Sequence, residues 1–153
     1  MNRIVPTYEN GQWTTTEFYT TQEFIDFLLS IFKEPGQYEY DETSFLFNKE
    51  AQNFNKNGFY CSAPFRSKDF NVYWEAEKEK CRNGAIYRNA GKTWYLTRDY
   101  YMWLNFLPIY DKEEKKYGFA KVRDAQYHMA IYELLAELSN KHSAILKKRQ
   151  IAS

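Results

Sequence analysis

At 153 residues the chain is long enough for one ordinary domain with a sizeable core. Its formal net charge of +1 excludes a global field that would draw it to nucleic acid or a membrane, and no apolar run reaches the roughly 18–20 residues of a membrane span. Aromatic residues make up 20% of the chain beside a mean hydropathy of −0.74, so rings with polar tips are expected on surfaces and interfaces as well as in a core. Cys61 and Cys81 fit no metal pattern and no secretory signal is evident, which predicts a reduced, intracellular protein.

Residues 1–16 are polar and turn-rich (Asn10-Gly11, Thr14-Thr15-Thr16) and are expected to form a flexible N-terminus. Thr20 or Thr21 caps a helix predicted over Gln22–Lys33, with Glu17 or Glu23 favourable near its start. Phe24, Phe27, Leu28 and Ile31 fall on one face of it, and Pro35-Gly36 ends it. The next stretch, 38–54, is mixed. Phe45-Leu46-Phe47 fits either a short strand or part of a helix running through Phe54, and Asn55-Lys56-Asn57-Gly58 reads as a turn. A second helix is predicted over Phe70–Lys80, with Val72, Tyr73 and Ala76 inward and the run Glu75, Glu77, Lys78, Glu79, Lys80 on a solvated face. Asn83-Gly84 ends it.

Ala90-Gly91-Lys92-Thr93 carries the Gly-Lys-Thr of a Walker A loop. The full pattern needs a glycine where Ile86 stands, and the next residues, Trp94-Tyr95-Leu96-Thr97, are β-branched and aromatic rather than a helix start. A hairpin between Ile86-Tyr87-Arg88 and Trp94-Tyr95-Leu96 is therefore expected, with the glycine in its turn. Tyr100–Phe106 reads as a buried aromatic helix. Its rings have faces that bases could stack on, but core packing is the better account. Asp111–Tyr117 is expected as a charged loop in solvent. The clearest helix is Ala125–Asn140, striped by Tyr127, Ala130, Ile131, Leu134, Leu135 and Leu138, with Asp124 suited to the positive end of its dipole. His128 and His142 have no partner nearby in sequence, and no spacing of Ser, His and Asp suggests a triad.

Ala144-Ile145-Leu146 then runs into Lys147-Lys148-Arg149-Gln150. A short apolar strand entering a basic turn is how many phosphate-binding loops begin, because backbone N–H groups and a cation meet the phosphates there. Two further segments sharpen this. Tyr101-Met102-Trp103-Leu104-Asn105-Phe106-Leu107-Pro108-Ile109 resembles a segment of the large terminase subunits of tailed phages. Phe119, Arg123, Asp124 and Gln126, and then Ile145–Gln150, come in the order and spacing of that family, closest in flavour to the terminases of crAss-like phages. The resemblance covers residues 81–153 well and residues 1–80 poorly.

The resemblance implies an ATP-driven motor that packages viral DNA into a procapsid, followed by a nuclease. The Walker A octet would start at Lys147, with Ala152 where the second glycine usually stands and Ser153 where the lysine does. Lys147 would be a displaced phosphate-binding lysine of a deviant loop, with Arg149 assisting and Gln150 within the loop. Gln126 is placed like the glutamine that reads adenine in this family, a role suited to an amide that both donates and accepts. ATP and Mg²⁺ are the implied cofactors of the parent protein. Portal protein, small terminase subunit and double-stranded DNA are its implied partners, in the host bacterial cytoplasm and transiently at the procapsid portal. The Mg²⁺-binding Ser/Thr, the Walker B carboxylates and the catalytic glutamate have no counterpart in these residues, so the chain alone is expected not to hydrolyse ATP.

Together these features predict an α+β fold. A flexible segment 1–16 and a helix-rich, lid-like subdomain 17–141 with a short β-hairpin lead to residues 142–153, the first strand and loop start of an incomplete RecA-like core. The competing expectation is a self-contained module that docks on portal or DNA without nucleotide chemistry.

Overall fold

The computed structural model describes residues 2–34, 36–38, 40, 42–113, 115–119 and 122–139. The fold is α+β. Strands β1 (Arg3–Glu9) and β2 (Gln12–Phe18) precede helix α1 (Thr21–Ile31). A 3-10 turn (Glu42–Leu46) leads to α2 (Lys49–Asn57) and α3 (Lys68–Asn83). Then come β3 (Ala85–Asn89), β4 (Lys92–Leu96), α4 (Arg98–Phe106), the short strands β5 (Ile109–Asp111) and β6 (Lys116–Gly118), and α5 (Asp124–Leu138). The main sheet is mixed, in the order β2-β1-β3-β4, with β1 and β3 parallel and both outer pairs antiparallel. No helix among the described residues is long and apolar enough to cross a membrane.

The N-terminus departs from the expected flexible segment. Asn10 and Gly11, at φ of 54° and 78°, make the two-residue turn that matches the twist of paired strands, and β1 and β2 pair from Arg3↔Phe18 to Glu9↔Gln12. Two-faced alternation is absent from β2 because it is an edge strand: of its seven residues only Phe18 is buried. Its threonines pair instead through hydroxyls, Thr7 Oγ1 with Thr16 Oγ1 at 2.6 Å.

The hairpin over the Gly-Lys-Thr stretch forms as expected. Ala90 and Gly91 turn at φ of 50° and 80°, and Lys92 and Thr93 are already strand residues opposite Asn89 and Arg88. This is strand–turn–strand, and no P-loop is present among the described residues. The strand expected at residues 142–147 lies outside them.

Local signals set the helix ends. Thr20 Oγ1 accepts from Glu23 N at 3.1 Å while Glu23 reaches back to Tyr19 N at 3.1 Å, a reciprocal cap for α1. Ser67 and Thr97 cap α3 and α4 through their own hydroxyls. The stretch Phe45-Leu46-Phe47 is neither strand nor part of one long helix. It lies in and just after the 3-10 turn, with Phe47 driven into the core. Asn55-Lys56-Asn57 is the last turn of α2, stopped by Gly58 in the left-handed region. The expected charged loop at Asp111–Tyr117 is the hairpin of β5 and β6.

The expected inner face of α3 is wrong by part of a turn. Val72 is 60% exposed, whereas Glu77 and Lys80 are buried with Phe70, Tyr73 and Trp74 partly so. Those positions share one helical face (i, i+3, i+4, i+7, i+10), but two of them carry charge, which hides the stripe. At the C-terminal end of α3, Gly84 sits at φ 79°, and a Cβ there would fall 2.3 Å from Tyr95 Oη and 2.4 Å from Leu96 O. Only glycine permits α3 to turn so tightly into β3.

Asn105 joins the helices. Asn48, at the N-terminus of α2, makes no side-chain cap. The fully buried amide of Asn105 on α4 supplies that cap from outside the helix: Oδ1 accepts from Glu50 N (3.1 Å) and Ala51 N (3.3 Å). Its Nδ2 donates to Phe47 O (2.9 Å) and Tyr101 O (3.1 Å), and its own carbonyl accepts from Tyr60 Oη (2.9 Å). Truncation would take a side-chain partner from four backbone groups. Asn105→Ala is therefore expected to lower stability by about 2–4 kcal/mol, read as a fall in the urea midpoint at unchanged slope; a change under about 1 kcal/mol would contradict this cap.

Candidate functional site

Two concentrations of polar groups stand out. The first lies beneath α3. Lys80 Nζ donates to Glu77 Oε2 at 2.8 Å and stands 3.9 Å from the centre of the Trp13 ring on β2. Tyr101 Oη on α4 donates to Glu77 Oε1 at 2.5 Å. The charge run expected in solvent thus carries a buried pair that binds three elements. The hydroxyl of Tyr87 on β3 is buried near the Glu77 and Glu50 carboxylates without a hydrogen-bond partner among the described residues. Burial, with those carboxylates, raises the pKa of Tyr73, Tyr87 and Tyr101 and keeps their hydroxyls protonated. Burial and then the charge of Glu77 also raise the pKa of Glu50. Among the described residues no three His, Cys, Asp or Glu side chains are grouped to hold a metal.

The second concentration is a cleft of about 520 Å³ bounded by the start of β1, the end of α3, the β4–α4 junction and α5. Its size suits a small-molecule ligand. Helix α5 forms one wall and is held in place by a side chain rather than by strand pairing: Tyr127 Oη, buried, accepts from Tyr95 N at 3.0 Å, satisfying an amide on the edge strand β4. At the start of α5, Asp124 accepts from Gly36 N and from Tyr40 Oη (3.3 Å). The His128 ring packs on Phe32 (4.7 Å between centres), with Nδ1 3.1 Å from Tyr38 Oη, so it is a packed histidine.

Gln126, one residue before Tyr127, lines this cleft. Tyr100 and Trp103 are stacked in its wall, 6.0 Å apart at 26°. Burial pushes the pKa of the Tyr100 hydroxyl up to about 12. Arg3, Arg82 and Arg98 reach the cleft from three separate segments, while Asp99, Glu133 and Glu137 line it too. Arg82 is paired with Glu79 at 2.6 Å, and Arg3 lies 4.4 Å over the Phe24 ring. Arg98 meets Asp99 only at 3.8 Å and is largely exposed, which leaves its guanidinium the most available of the three. No sequence signal marks these arginines, because each is isolated along the chain; only the cleft brings them together.

Of the residues expected to bind ATP, Gln126 therefore sits on a cleft lined by aromatic rings and by charges of both signs. Lys147, Arg149, Gln150, Ala152 and Ser153 lie outside the described residues. Lys92, of the Gly-Lys-Thr stretch, lines a different and smaller cavity of about 240 Å³ with Lys33 and Tyr38.

The raised pKa of Glu50 sets a pH dependence. A carboxyl whose folded pKa lies above its unfolded value favours folding fully below the unfolded value, near 4.5, and loses that contribution as pH rises through the folded one. Glu50→Gln, which abolishes the titration, is expected to match the parent near pH 4 and to be the more stable at pH 8, as measured by urea unfolding at both. Equal stability differences at the two pH values would contradict this.

No protein-family model, no curated protein and no solved structure matches the chain.

Proposed function

We propose that this chain is the N-terminal region of a tailed-phage large terminase subunit, the ATP-driven motor of DNA packaging, and that the cleft beside Gln126 receives the adenine of ATP. The observation that carries this is the company of Gln126. The residue that the resemblance marks for adenine lines a cleft of about 520 Å³ with the Tyr100–Trp103 pair and Arg98. The Oε1 of Gln126 is buried, so its amide would meet adenine as a donor through Nε2; aromatic side chains offer apolar surface to the ring, and a guanidinium suits a phosphate. These residues fit an adenine nucleotide. In this reading Lys147, Arg149, Gln150, Ala152 and Ser153 hold the phosphates, and Mg²⁺ and the catalytic carboxylates come from residues further along the parent protein. The chain alone then binds nucleotide weakly and does not turn it over.

Calorimetric titration with ATP and GTP tests this, on the chain itself and on the chain extended through any downstream reading frame. The extended form is expected to hydrolyse ATP and to lose hydrolysis in Lys147→Ala. Gln126→Ala is expected to weaken ATP about fivefold, from one lost hydrogen bond at about 0.5–1.5 kcal/mol, with a smaller effect on GTP. Undiminished ATP affinity in Gln126→Ala would overturn the adenine assignment. Hydrolysis by the short chain that is lost in Lys92→Ala would overturn the whole reading.

A further inference from the structure

A ridge of five rings crosses the α2–α3 corner. Phe65 contacts Phe70 (5.3 Å between centres), Phe70 contacts Trp74 (6.3 Å), Trp74 contacts Tyr60 (5.8 Å) and Tyr60 contacts Phe54 (4.7 Å). The inner rings are half-buried, but the ends are not: Phe65 is 74% exposed and Phe54 37%, and Phe59, beside Tyr60, is 47% exposed. Burying a phenylalanine is favourable by roughly 1.5–3 kcal/mol, so rings left standing this far out contribute little to the fold that holds them.

Three exposed cations and two exposed acids, Asp69 and Glu75, flank this ridge. Lys56 comes two residues after Phe54, and Arg66 and Lys68 come just after Phe65. All three are exposed, and none is paired with an acid among the described residues. Arg66 instead stands 5.2 Å over the Phe65 ring, and its backbone is held at φ 64°, in the left-handed region. Asp69 is exposed, Glu75 is paired with Lys78 at 3.5 Å, and the half-buried Glu50 accepts from Asn53 Nδ2 at 3.4 Å.

From this juxtaposition we infer that the α2–α3 corner is a binding surface for single-stranded nucleic acid. Exposed rings can stack with any base, and unpaired cations among them meet the backbone phosphates. The pattern suits bases better than an apolar peptide, which needs a pocket between side chains rather than rings standing out from the surface. It suits a single strand better than a duplex, whose base faces are already stacked on one another. The chain's near-zero net charge does not oppose this, because Lys56, Arg66 and Lys68 are without acid partners among the described residues. The inference does not rest on the adenine cleft, which uses other residues.

Fluorescence anisotropy of a fluorescein-labelled 20-nucleotide oligothymidylate at about 50 mM salt tests it on the chain as it stands. Saturable binding is expected. Phe65→Ala and Phe59→Ala, at exposed positions that leave the circular dichroism spectrum unchanged, are each expected to weaken it about fivefold or more. Arg66→Gln with Lys68→Gln should flatten the slope of log affinity against log salt by about 0.7 for each phosphate contact removed. Gln126→Ala should leave oligothymidylate binding intact, which separates this surface from the nucleotide cleft. Absence of saturable binding, unchanged affinity in Phe59→Ala/Phe65→Ala, or a duplex of equal length binding as tightly would overturn the proposal, the first of these pointing to a protein partner for the ridge instead.

Discussion

A carboxylate placed under a helix costs several kcal/mol unless its oxygens find donors, and Glu77 finds two. Tyr101 reaches it from α4, and Lys80 reaches it from one turn along α3. Lys80 is then itself buried, and it also lies against the face of Trp13 on the first hairpin. One charge thus commits α3 to a single rotation about its axis, with Glu77 and Lys80 inward, and clamps the N-terminal hairpin, α3 and α4 together. Removing either member would strand the other, so the pair specifies an arrangement more than it adds to stability.

Around that centre the molecule satisfies buried backbone groups with side chains from elsewhere. Asn105 caps α2 from α4, Tyr127 covers an amide of the edge strand β4, and Tyr95 Oη donates to Asn83 O where α3 ends (2.8 Å). Tyr38, Tyr60, Tyr95 and Tyr127 each combine a packed ring with a hydroxyl bonded to backbone. The same construction positions the cleft. Because Tyr127 fixes the rotation of α5 against β4, its neighbour Gln126 is placed beside Tyr100 and Trp103, and the tight turn at Gly84 brings the end of α3, with Arg82, to the cleft wall.

This also gives the Leu104-Asn105-Phe106 segment, on which much of the proposed terminase reading is based, a local physical role. Leu104 is fully buried, Asn105 caps α2 from a neighbouring helix, and Phe106 packs on Tyr60, Trp74 and Tyr101. Such a segment is constrained by packing whatever the chain binds. The support for a nucleotide function therefore rests on Gln126 and its surroundings rather than on this motif.

What the sequence by itself determined is the local part. The α+β class, a threonine cap at Thr20 or Thr21, the hairpin through Gly91 and the buried sides of α1, α4 and α5 come from side-chain period and turn chemistry within a few residues. The Gly-Lys-Thr stretch was legible as a turn because a strand, not a helix, comes after it. Only the tertiary structure decided the rest, since it depends on residues far apart along the chain. The edge strand β2 shows no alternation because one side of it has no partner to pack on. The parallel pairing of β1 with β3 joins residues far apart along the chain, Thr7 with Ile86. The inward face of α3 is disguised by two charges whose partners, Tyr101 and Trp13, lie on other elements. Gln126 was nameable from the chain; that it shares a cleft with Arg3, Arg82 and Arg98 was not, because their segments lie far apart along the chain and only the fold brings them together.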